Sequence, residues 1–338
     1  MRRTNVTIKQ IASLAGVSRS TVSRVLTGHP NVKPATREKV ERIIRELDYR
    51  PSSLAQGLSR GSVNIVALLV GDIRNPFYSE VARGVEDVAS QAGYMVVFCD
   101  TDYQNERENQ YLKMAQQYGF AGLIMMTAMD TDELIPVMEN VKCPIVLLNR
   151  YISTYSTDTV LVDNVHGGYI VGQHLAKLGH RQIGFLGGPK SSSASRERAK
   201  GFYQAISDFG IQIESRNVVE GDLKMESGYR YGKAWLRKKQ NQPTAIFAAN
   251  DLMALGVMQA LQEEGVRIPE DVSIVGYDDL PVSKVPAISL TTVRQPQYQM
   301  GSVAMKILLE RIRENSDCVP QRIVYTPELI VRRTTAPL

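Results

Sequence analysis

The first 50 residues have apolar positions at helical spacing, and the pattern predicts three short helices. Thr7 and Gln10 are spaced as a capping box, which marks the start of the first helix. Gly16 suits a tight turn, and Ser18 can cap a second helix. The third helix begins near Pro34, because proline is favoured at a first helical position. A glycine-containing turn between the first two helices favours a helix-turn-helix over an amphipathic hairpin without function.

The second helix, which we expect to extend from Ser18 to about Leu26, is predicted to have two unlike faces. Its inner side is apolar and carries Val22, Val25 and Leu26. The opposite side is basic and rich in hydroxyl groups, and it carries Arg19, Ser20, Ser23 and Arg24. An exposed face of this composition on the second helix is typical of a DNA-reading helix.

A short segment follows at residues 51–58, with Leu54 and Leu58 one helical turn apart. Only about seven helical residues fit before Ser59, and helices of that length are marginal in water by themselves. We therefore expect this segment to become helical only against a partner. An ordinary linker is the alternative, but it would not need two leucines at this spacing.

From Val63 onward, apolar runs alternate with amphipathic stretches, which predicts βαβ units and buried parallel sheets. The predicted strands are residues 63–70, 94–99, 122–126, 144–148, 182–186, 245–248 and 272–275. The runs form two sets that divide near residues 159–163, so we expect two similar lobes with a cleft between them. The fold class is therefore α/β with a helical N-terminal domain.

Polar side chains follow most of these strands, where the ligands of open α/β sheets bind. Each of them is, taken alone, more typical of a helix cap or a turn. Together they combine amides, carboxylates and guanidinium groups with the aromatic rings of Phe77 and Tyr78, a combination suited to holding a sugar.

Charge is distributed unevenly along the 338 residues, which are enough for two or three domains. Residues 1–62 contain 12 Lys/Arg and 4 Asp/Glu (+8), and the remainder contains 28 and 31 (−3), which together give the net charge of +5. A basic N-terminal part is typical of nucleic-acid contact, although a solvated basic face is the alternative. The three scattered cysteines favour a reducing cytoplasm, and no apolar run suggests a signal peptide or a membrane span.

The N-terminal segments closely resemble the lactose/galactose repressor (LacI/GalR) family. The resemblance rests on residues 6–12, 16–18, 20–26 and 49–58, the last being similar to the family's hinge helix. It implies that Arg19, Ser20 and Arg24 read bases in the major groove and that Leu58 wedges into the minor groove. The full set of candidate DNA-contacting residues is Thr7, Ser18, Arg19, Ser20, Thr21, Ser23, Arg24, Asn31, Ser53, Leu54, Gln56 and Leu58.

The body resembles periplasmic sugar-binding proteins of the ribose type, which share their core fold with this repressor family. The resemblance implies the effector contacts Asn75, Phe77, Tyr78, Asp130, Arg150, Arg198, Asn250, Asp278 and Gln295. Purine-responsive repressors have an Arg and a Thr where this chain has Ser192 and Ala194, which disfavours a purine. Leu223 stands where relatives often have an aromatic residue.

The expected organisation is a helix-turn-helix domain (1–48), a hinge (49–62) and an effector-binding and dimerisation domain (63–338). Its lobes are predicted at about 63–158 plus 292–321, and 159–291 plus 322–332, with chain crossings near 160, 290 and 322. The expected function is sequence-specific DNA binding by a cytoplasmic homodimer that a sugar-like effector controls. No cofactor, catalytic residue, metal or membrane contact is expected. A sugar-binding protein or an enzyme on the same fold is the alternative.

Overall fold

The computed structural model describes residues 6–26, 29–47, 49, 63–131, 133–237, 241–314 and 319–338. The chain divides into two compact units, Met1–Val63 and Asn64–Leu338. Most of the predicted hinge, and with it the candidate DNA contacts Ser53, Leu54, Gln56 and Leu58, lies outside the described residues.

The first unit contains the three predicted helices, α1 (Ile8–Ala15), α2 (Arg19–Leu26) and α3 (Pro34–Glu46). The capping box is present: the Thr7 N–H donates to Gln10 Oε1 at 2.8 Å, and the Gln10 N–H donates to the Thr7 hydroxyl at 3.3 Å. Gly16 ends α1 with a φ of 66°, in the left-handed region that favours glycine. One fully buried residue from each helix, Ile11, Val22 and Val40, closes a common apolar core.

The second unit is built from alternating strands and helices. The helices are α4 (Pro76–Gln91), α5 (Asn105–Tyr118), α6 (Ile135–Glu139), α7 (Asn164–Lys177), α8 (Ser193–Asp208), α9 (Met225–Leu236), α10 (Asp251–Gln262) and α11 (Gln297–Glu314). The strands are β1 (Val63–Val70), β2 (Met95–Asp100), β3 (Phe120–Met125), β4 (Ile145–Leu148), β5 (Asp158–Val162), β6 (Ile183–Gly187), β7 (Val218–Glu220), β8 (Ala245–Ala248), β9 (Ser273–Val275), β10 (Thr292–Arg294), β11 (Arg322–Tyr325) and β12 (Glu328–Ile330). The predicted strands appear within two residues of their expected bounds.

Two sheets form the cores of two lobes. The first has the order β11-β5-β4-β3-β1-β2 and the second the order β7-β6-β8-β9. The first lobe adds α4, α5, α6 and α11 to its sheet, and the second adds α7 to α10, so that each sheet has an apolar cluster on either face. Strands covered on both faces must be apolar throughout, which explains their continuous hydrophobic runs. The predicted α/β fold class is confirmed.

The predicted lobe bounds differ from the structure near the C-terminus. We expected residues 322–332 in the second lobe, but β11 pairs with β5 in the first sheet, while β12 pairs antiparallel with β10 beside the second lobe. β5 itself belongs to the first sheet, although the expected boundary preceded it. The crossings therefore follow Val162, Arg294 and Tyr325, slightly later than predicted.

The pairing of β11 with β5 is fixed by contacts at the start of β5. Asp158, the first residue of β5, accepts hydrogen bonds from Arg311 of α11 at 2.8 Å and from the Gln321 N–H at 2.8 Å. The Thr159 N–H in turn donates to the Gln321 carbonyl at 2.8 Å. Because these bonds hold the start of β11 against β5, the strand extends the first sheet before the chain crosses again.

Candidate functional site

The candidate DNA-contacting residues of the first unit lie at its surface. Thr7, Ser18, Arg19, Ser20, Arg24 and Asn31 are exposed, and Thr21 and Ser23 are half-buried. Val22 and Val25, on the other side of α2, are buried in the core. The helix therefore presents a basic, hydroxyl-bearing face, as its two-faced sequence predicts.

Hydroxyl groups cluster at the N-terminus of α2. The Ser18 hydroxyl accepts from the Thr21 N–H at 3.1 Å, which is the predicted cap. It also lies 2.7 Å from the Ser20 hydroxyl and 2.9 Å from that of Thr21. Unsatisfied N–H groups and hydroxyl donors at a helix N-terminus suit contact with a phosphate of the DNA backbone.

Within the second unit, a cleft lies at the carboxyl ends of strands from both sheets. Seven of the nine predicted effector residues line one cavity there: Asn75, Phe77, Tyr78, Arg150, Arg198, Asn250 and Asp278. All seven are buried in the structure. Parallel strands place their carboxyl ends at a common edge, and this brings together residues that are up to 203 positions apart in the sequence.

Two of these residues cap helices with the same side chain that faces the cavity. Asn75 Oδ1 accepts from the Phe77 N–H at 3.0 Å at the start of α4. Asn250 Oδ1 accepts from the Met253 N–H at 2.9 Å at the start of α10, while its Nδ2 donates to the Leu223 carbonyl at 2.8 Å. The predicted helix-cap role and the cavity position therefore coincide in both asparagines.

Aromatic side chains form one wall of the cavity. The rings of Phe77 and Tyr78 meet edge to face with their centroids 5.5 Å apart. The Tyr78 hydroxyl lies 3.0 Å from that of Tyr103, and burial raises the pKa of either phenol. Both hydroxyls consequently stay neutral at physiological pH and remain competent to donate and accept hydrogen bonds.

Arg198 and Asp278 form the charged centre of the second lobe's wall. Arg198 donates from Nε to Asn164 Oδ1 at 2.8 Å and from Nη1 to the Ala249 carbonyl at 2.6 Å. Its guanidinium lies over the Tyr277 ring at 3.7 Å. Burial raises the pKa of Asp278 to about 8, and the nearby Arg198 opposes this shift. A hydroxyl-bearing ligand that donates to this carboxyl would favour its ionised form.

Arg150 provides the opposing cation from the first lobe. It follows β4 and donates from Nη1 to the hydroxyl of Ser192, in the second lobe. Within the described part of the chain, two buried polar atoms of cavity-lining residues at this strand end have no hydrogen-bond partner: Arg150 Nε and Asn149 Oδ1. Such groups are costly to bury unpaired, so one donor and one acceptor remain available for a polar ligand.

Two predicted effector residues do not line the cavity. Gln295 is buried and donates from Nε2 to Asp278 Oδ1 at 2.6 Å, so it acts through that carboxyl. Asp130 lies elsewhere: it accepts from the Ser153 N–H and hydroxyl, both at 2.6 Å, and pairs with Arg196 of the second lobe. Asp130 therefore does not line the cavity in this closed arrangement, because these donors already occupy its carboxylate, and its expected contact with an effector stays a prediction.

Four residues outside the predicted set complete the lining: Tyr103, Asn149, Ser195 and Leu223. Tyr103 follows the end of β2 by three positions, so the strand-end rule applied to β2 would have found it. Ser195 precedes Arg198 by three residues on α8 and therefore shares its helical face. Asn149 and Leu223 stand in the left-handed region, with φ of 57° and 65°.

The cavity is small, because the lobes meet around it. Its volume is about 30 Å³, whereas ligand pockets usually measure about 300 Å³ or more. Contacts between the lobes surround it, including the 2.5 Å ion pair of Lys224 with Asp102 and the hydrogen bond of Tyr151 to Glu197 at 3.0 Å. An effector of sugar size therefore needs the lobes to separate before it enters.

Within the described ranges, no group of three or more His, Cys, Asp and Glu side chains is arranged to hold a metal ion. None of the helices in the described ranges is both long and apolar enough to cross a bilayer.

The chain is similar to known proteins along its whole length. Residues 7–52 match the model for bacterial regulatory proteins of the lacI family, and residues 173–335 match that for a periplasmic binding protein-like domain. The HTH-type transcriptional regulator DegA of Bacillus subtilis is 34% identical over 335 residues, which are 98% of this chain and 98% of DegA. The HTH-type transcriptional repressor PurR of Photobacterium profundum is 33% identical over 335 residues, 98% of this chain and 99% of that repressor.

Solved structures show the same architecture. The Lac repressor dimer bound to operator and the anti-inducer ONPF matches with a TM-score of 0.80 and 29% identity, over 98% of this chain and 99% of that one. The complex of the transcriptional regulator CelR with cellobiose matches with a TM-score of 0.73 and 31% identity, over 97% and 99%.

Proposed function

The chain belongs to the LacI family of DNA-binding transcriptional regulators, and on this premise we propose that it is a cytoplasmic repressor that binds a palindromic operator as a homodimer. A sugar or sugar derivative binds in the cleft as its effector. The observation that supports an effector site most directly is that seven predicted residues line one cavity between the two lobes.

The chemistry of the cavity favours a polyol. Guanidinium, carboxyl and amide groups bind pairs of hydroxyls, and the rings of Phe77 and Tyr78 suit the apolar face of a sugar. Ser192 stands where purine-responsive repressors have an arginine. It is fully buried, and its neutral hydroxyl already accepts a hydrogen bond from Arg150, so its side chain does not provide the cation that those repressors have there. A similar regulator, CelR, binds cellobiose.

Lobe closure provides the mechanism. An effector that binds only when it bridges Arg150 of the first lobe and Arg198 or Asp278 of the second changes the balance between open and closed arrangements. In a dimer, that balance sets the spacing of the two hinges and therefore whether both DNA-binding units reach their half-sites.

The homodimer has support in exposed apolar side chains of the first lobe. Met95 and Phe98 on the edge strand β2, and Met114 and Tyr118 on α5, are large apolar residues that are all more than two-fifths exposed. Large apolar side chains that stay exposed at and beside a sheet edge are candidates for a protein–protein contact. A dimer through this face would also cover the free edge of the first sheet.

The DNA-binding part of the proposal is tested by selecting duplexes from a random library on the purified full-length protein. We expect enrichment of an inverted repeat. Arg19→Ala and Arg24→Ala should change the enriched bases, whereas Lys113→Ala, on α5 of the second unit, should leave them unchanged. Binding without any sequence enrichment would contradict a repressor function.

The effector is identified by thermal-shift screening of pentoses, hexoses, their phosphates, nucleosides and purine bases. We expect a sugar or sugar phosphate to raise the melting temperature of the native protein and to change its affinity for the selected duplex. Stabilisation by a purine base alone would refute the sugar assignment.

A further inference from the structure

A second, larger depression lies on the second lobe, outside the cleft. This groove runs between α8 and the strands β6 and β7, and its volume is about 490 Å³. Ligand pockets commonly measure about 300–1,000 Å³, so the groove admits a small organic molecule without any movement of the lobes. β7 is the edge strand of its sheet, which leaves the side of the groove opposite α8 open.

The floor of the groove is apolar and partly aromatic. Phe185 of β6 and Tyr203 of α8 meet edge to face with their ring centroids 5.7 Å apart. Ala199 and Val218 extend this floor, and Val219 is two-fifths exposed beside it. A flat apolar group placed here would bury side chains that now face solvent, which favours binding.

The rim of the groove is cationic. Lys190, Arg196 and Lys200 line it, against the single carboxylate of Glu220. Glu220 is already engaged, because its Oε1 accepts from the Lys190 N–H at 3.1 Å. Within the described ranges no ion pair engages the ammonium of Lys190 or of Lys200. The groove therefore combines an excess of positive charge with an apolar floor.

One rim residue connects the groove to the lobe interface. Arg196 donates from Nη1 to the Lys190 carbonyl at 2.9 Å, and from Nη2 to Asp130 of the first lobe. Its neighbour Ser195 lines both the groove and the central cavity. An anion bound in the groove would compete with Asp130 for the same guanidinium and thereby weaken a contact between the lobes.

We propose that the groove is a second ligand site, which takes a small organic anion with a flat apolar body and is coupled to lobe closure through Arg196. The apolar body lies on Phe185 and Tyr203, and the anionic group meets Lys190, Lys200 and Arg196. This site is distinct from the cleft, so its ligand acts in addition to the effector bound there.

The test uses 1-naphthyl phosphate with the full-length protein, and isothermal titration gives the dissociation constant. Because a charge-assisted contact is lost, Lys200→Glu should weaken binding about tenfold or more. Ala199→Trp, which fills the groove, should abolish binding. Inorganic phosphate lacks the apolar body and 1-naphthol lacks the anion, so both should bind at least about tenfold more weakly. Asp130→Asn should strengthen binding several-fold, since Arg196 loses its competing carboxylate.

Lys113→Glu is the matched control, because it makes the same charge change on an exposed helix of the first lobe. We expect it to alter the dissociation constant less than about twofold. If Lys113→Glu and Lys200→Glu lost the same affinity for the probe, the loss would be due to the overall charge of the protein, and the proposed site would be overturned. Undiminished binding in both Lys200→Glu and Ala199→Trp would place the probe elsewhere, and an unchanged affinity in Asp130→Asn would overturn the coupling to the first lobe.

Discussion

Arg198 Nη1 lies 3.8 Å from Asp278 Oδ1, and only 6% of either side chain is exposed. The two residues belong to different elements: Arg198 lies on α8, and Asp278 follows β9 by three positions. Asp278 has a φ of 122°, and its N–H donates to the Val293 carbonyl at 2.8 Å. The backbone therefore fixes the position of the Asp278 carboxyl before any ligand binds. Whether this carboxyl is ionised depends on how far the surrounding donors and cations offset the cost of burying its charge.

The first prediction concerns the pH dependence of stability. The pKa of Asp278 is about 8 in the folded chain and near 3.8 when unfolded, so the folded state retains a proton that the unfolded state loses. Stability from this group is therefore complete below pH 4 and decreases as the pH rises through 8. We expect the melting temperature to fall between pH 7 and pH 9, and Asp278→Asn to remove most of that slope.

Asp271→Asn provides the control for this measurement. Its salt bridge with Arg267 lowers the pKa of Asp271 to about 2, so its contribution changes only in acid. His174 and His180 have pKa values lowered by burial, and they are neutral throughout the window from pH 7 to 9. A slope that persists unchanged in Asp278→Asn would show that another group titrates there.

A second prediction concerns the role of Arg198 in stability. Removing this side chain takes the donor away from Asn164 Oδ1 and from the Ala249 carbonyl, and it takes the buried cation away from Asp278. We therefore expect Arg198→Ala to lower the free energy of unfolding by about 3 kcal/mol at pH 8. Arg83→Ala, which breaks the pair of an exposed guanidinium with the half-buried Asp87, should change it by less than about 0.5 kcal/mol. Urea denaturation measures both, and similar values for the two variants would contradict the structural role.

A third prediction concerns the ion pair between the lobes. Lys224 Nζ lies 2.5 Å from Asp102 Oδ1, and this contact joins α9's N-terminal cap to the loop after β2. Asp102→Lys places like charges there and should shift the population towards an open arrangement, which small-angle X-ray scattering detects as a larger radius of gyration. The double variant Asp102→Lys, Lys224→Asp should return the radius to its original value. Glu80→Lys, an exposed change in the same lobe, should leave the radius unaltered, and expansion in that variant would rule out the specific pair as the cause.

A fourth prediction tests the dimer face of the first lobe. Phe98 is 43% exposed on the edge strand β2, and a charge buried at this position would be costly in an interface. Phe98→Glu should therefore convert the dimer to a monomer at micromolar concentration, as measured by light scattering. Val331→Glu introduces the same charge at another exposed apolar position, and it should remain dimeric. A Phe98→Glu variant that stays dimeric would move the interface to another surface.

A fifth prediction rests on the sequence alone, because Leu58 lies outside the described residues. If Leu58 wedges between base pairs of the operator, Leu58→Ala should weaken binding to the selected duplex by about tenfold or more, the equivalent of one lost base-step contact. Binding to random DNA, which depends on phosphate contacts and salt, should change little. Fluorescence anisotropy with both duplexes separates these effects. Equal losses on the two duplexes would show that Leu58 only supports folding of the N-terminal unit.

Sequence patterns predicted the elements, and they singled out seven residues that the structure brings together around one cavity, for identifiable reasons. Caps such as Thr7 and Asn250 act within three residues of themselves, so their roles are visible in the chain. Buried parallel strands are apolar runs, which places their ends within a residue or two. Since the carboxyl ends of parallel strands meet, Asn75 and Asp278 could be assigned to one site although the intervening chain is long.

The features that the sequence did not reveal depend on contacts between residues far apart in the chain. Gln321 pairs with the start of β5 through Asp158, and no local pattern indicates to which sheet β11 belongs. Asp130 was expected at the effector because it follows a strand, yet Arg196, 66 positions later, occupies its carboxylate. The groove beside α8 likewise arises from the packing of a helix on an edge strand. Local periodicity and capping thus determined which segments are helices and strands, whereas the docking of those segments decided which polar groups meet a ligand and which meet one another.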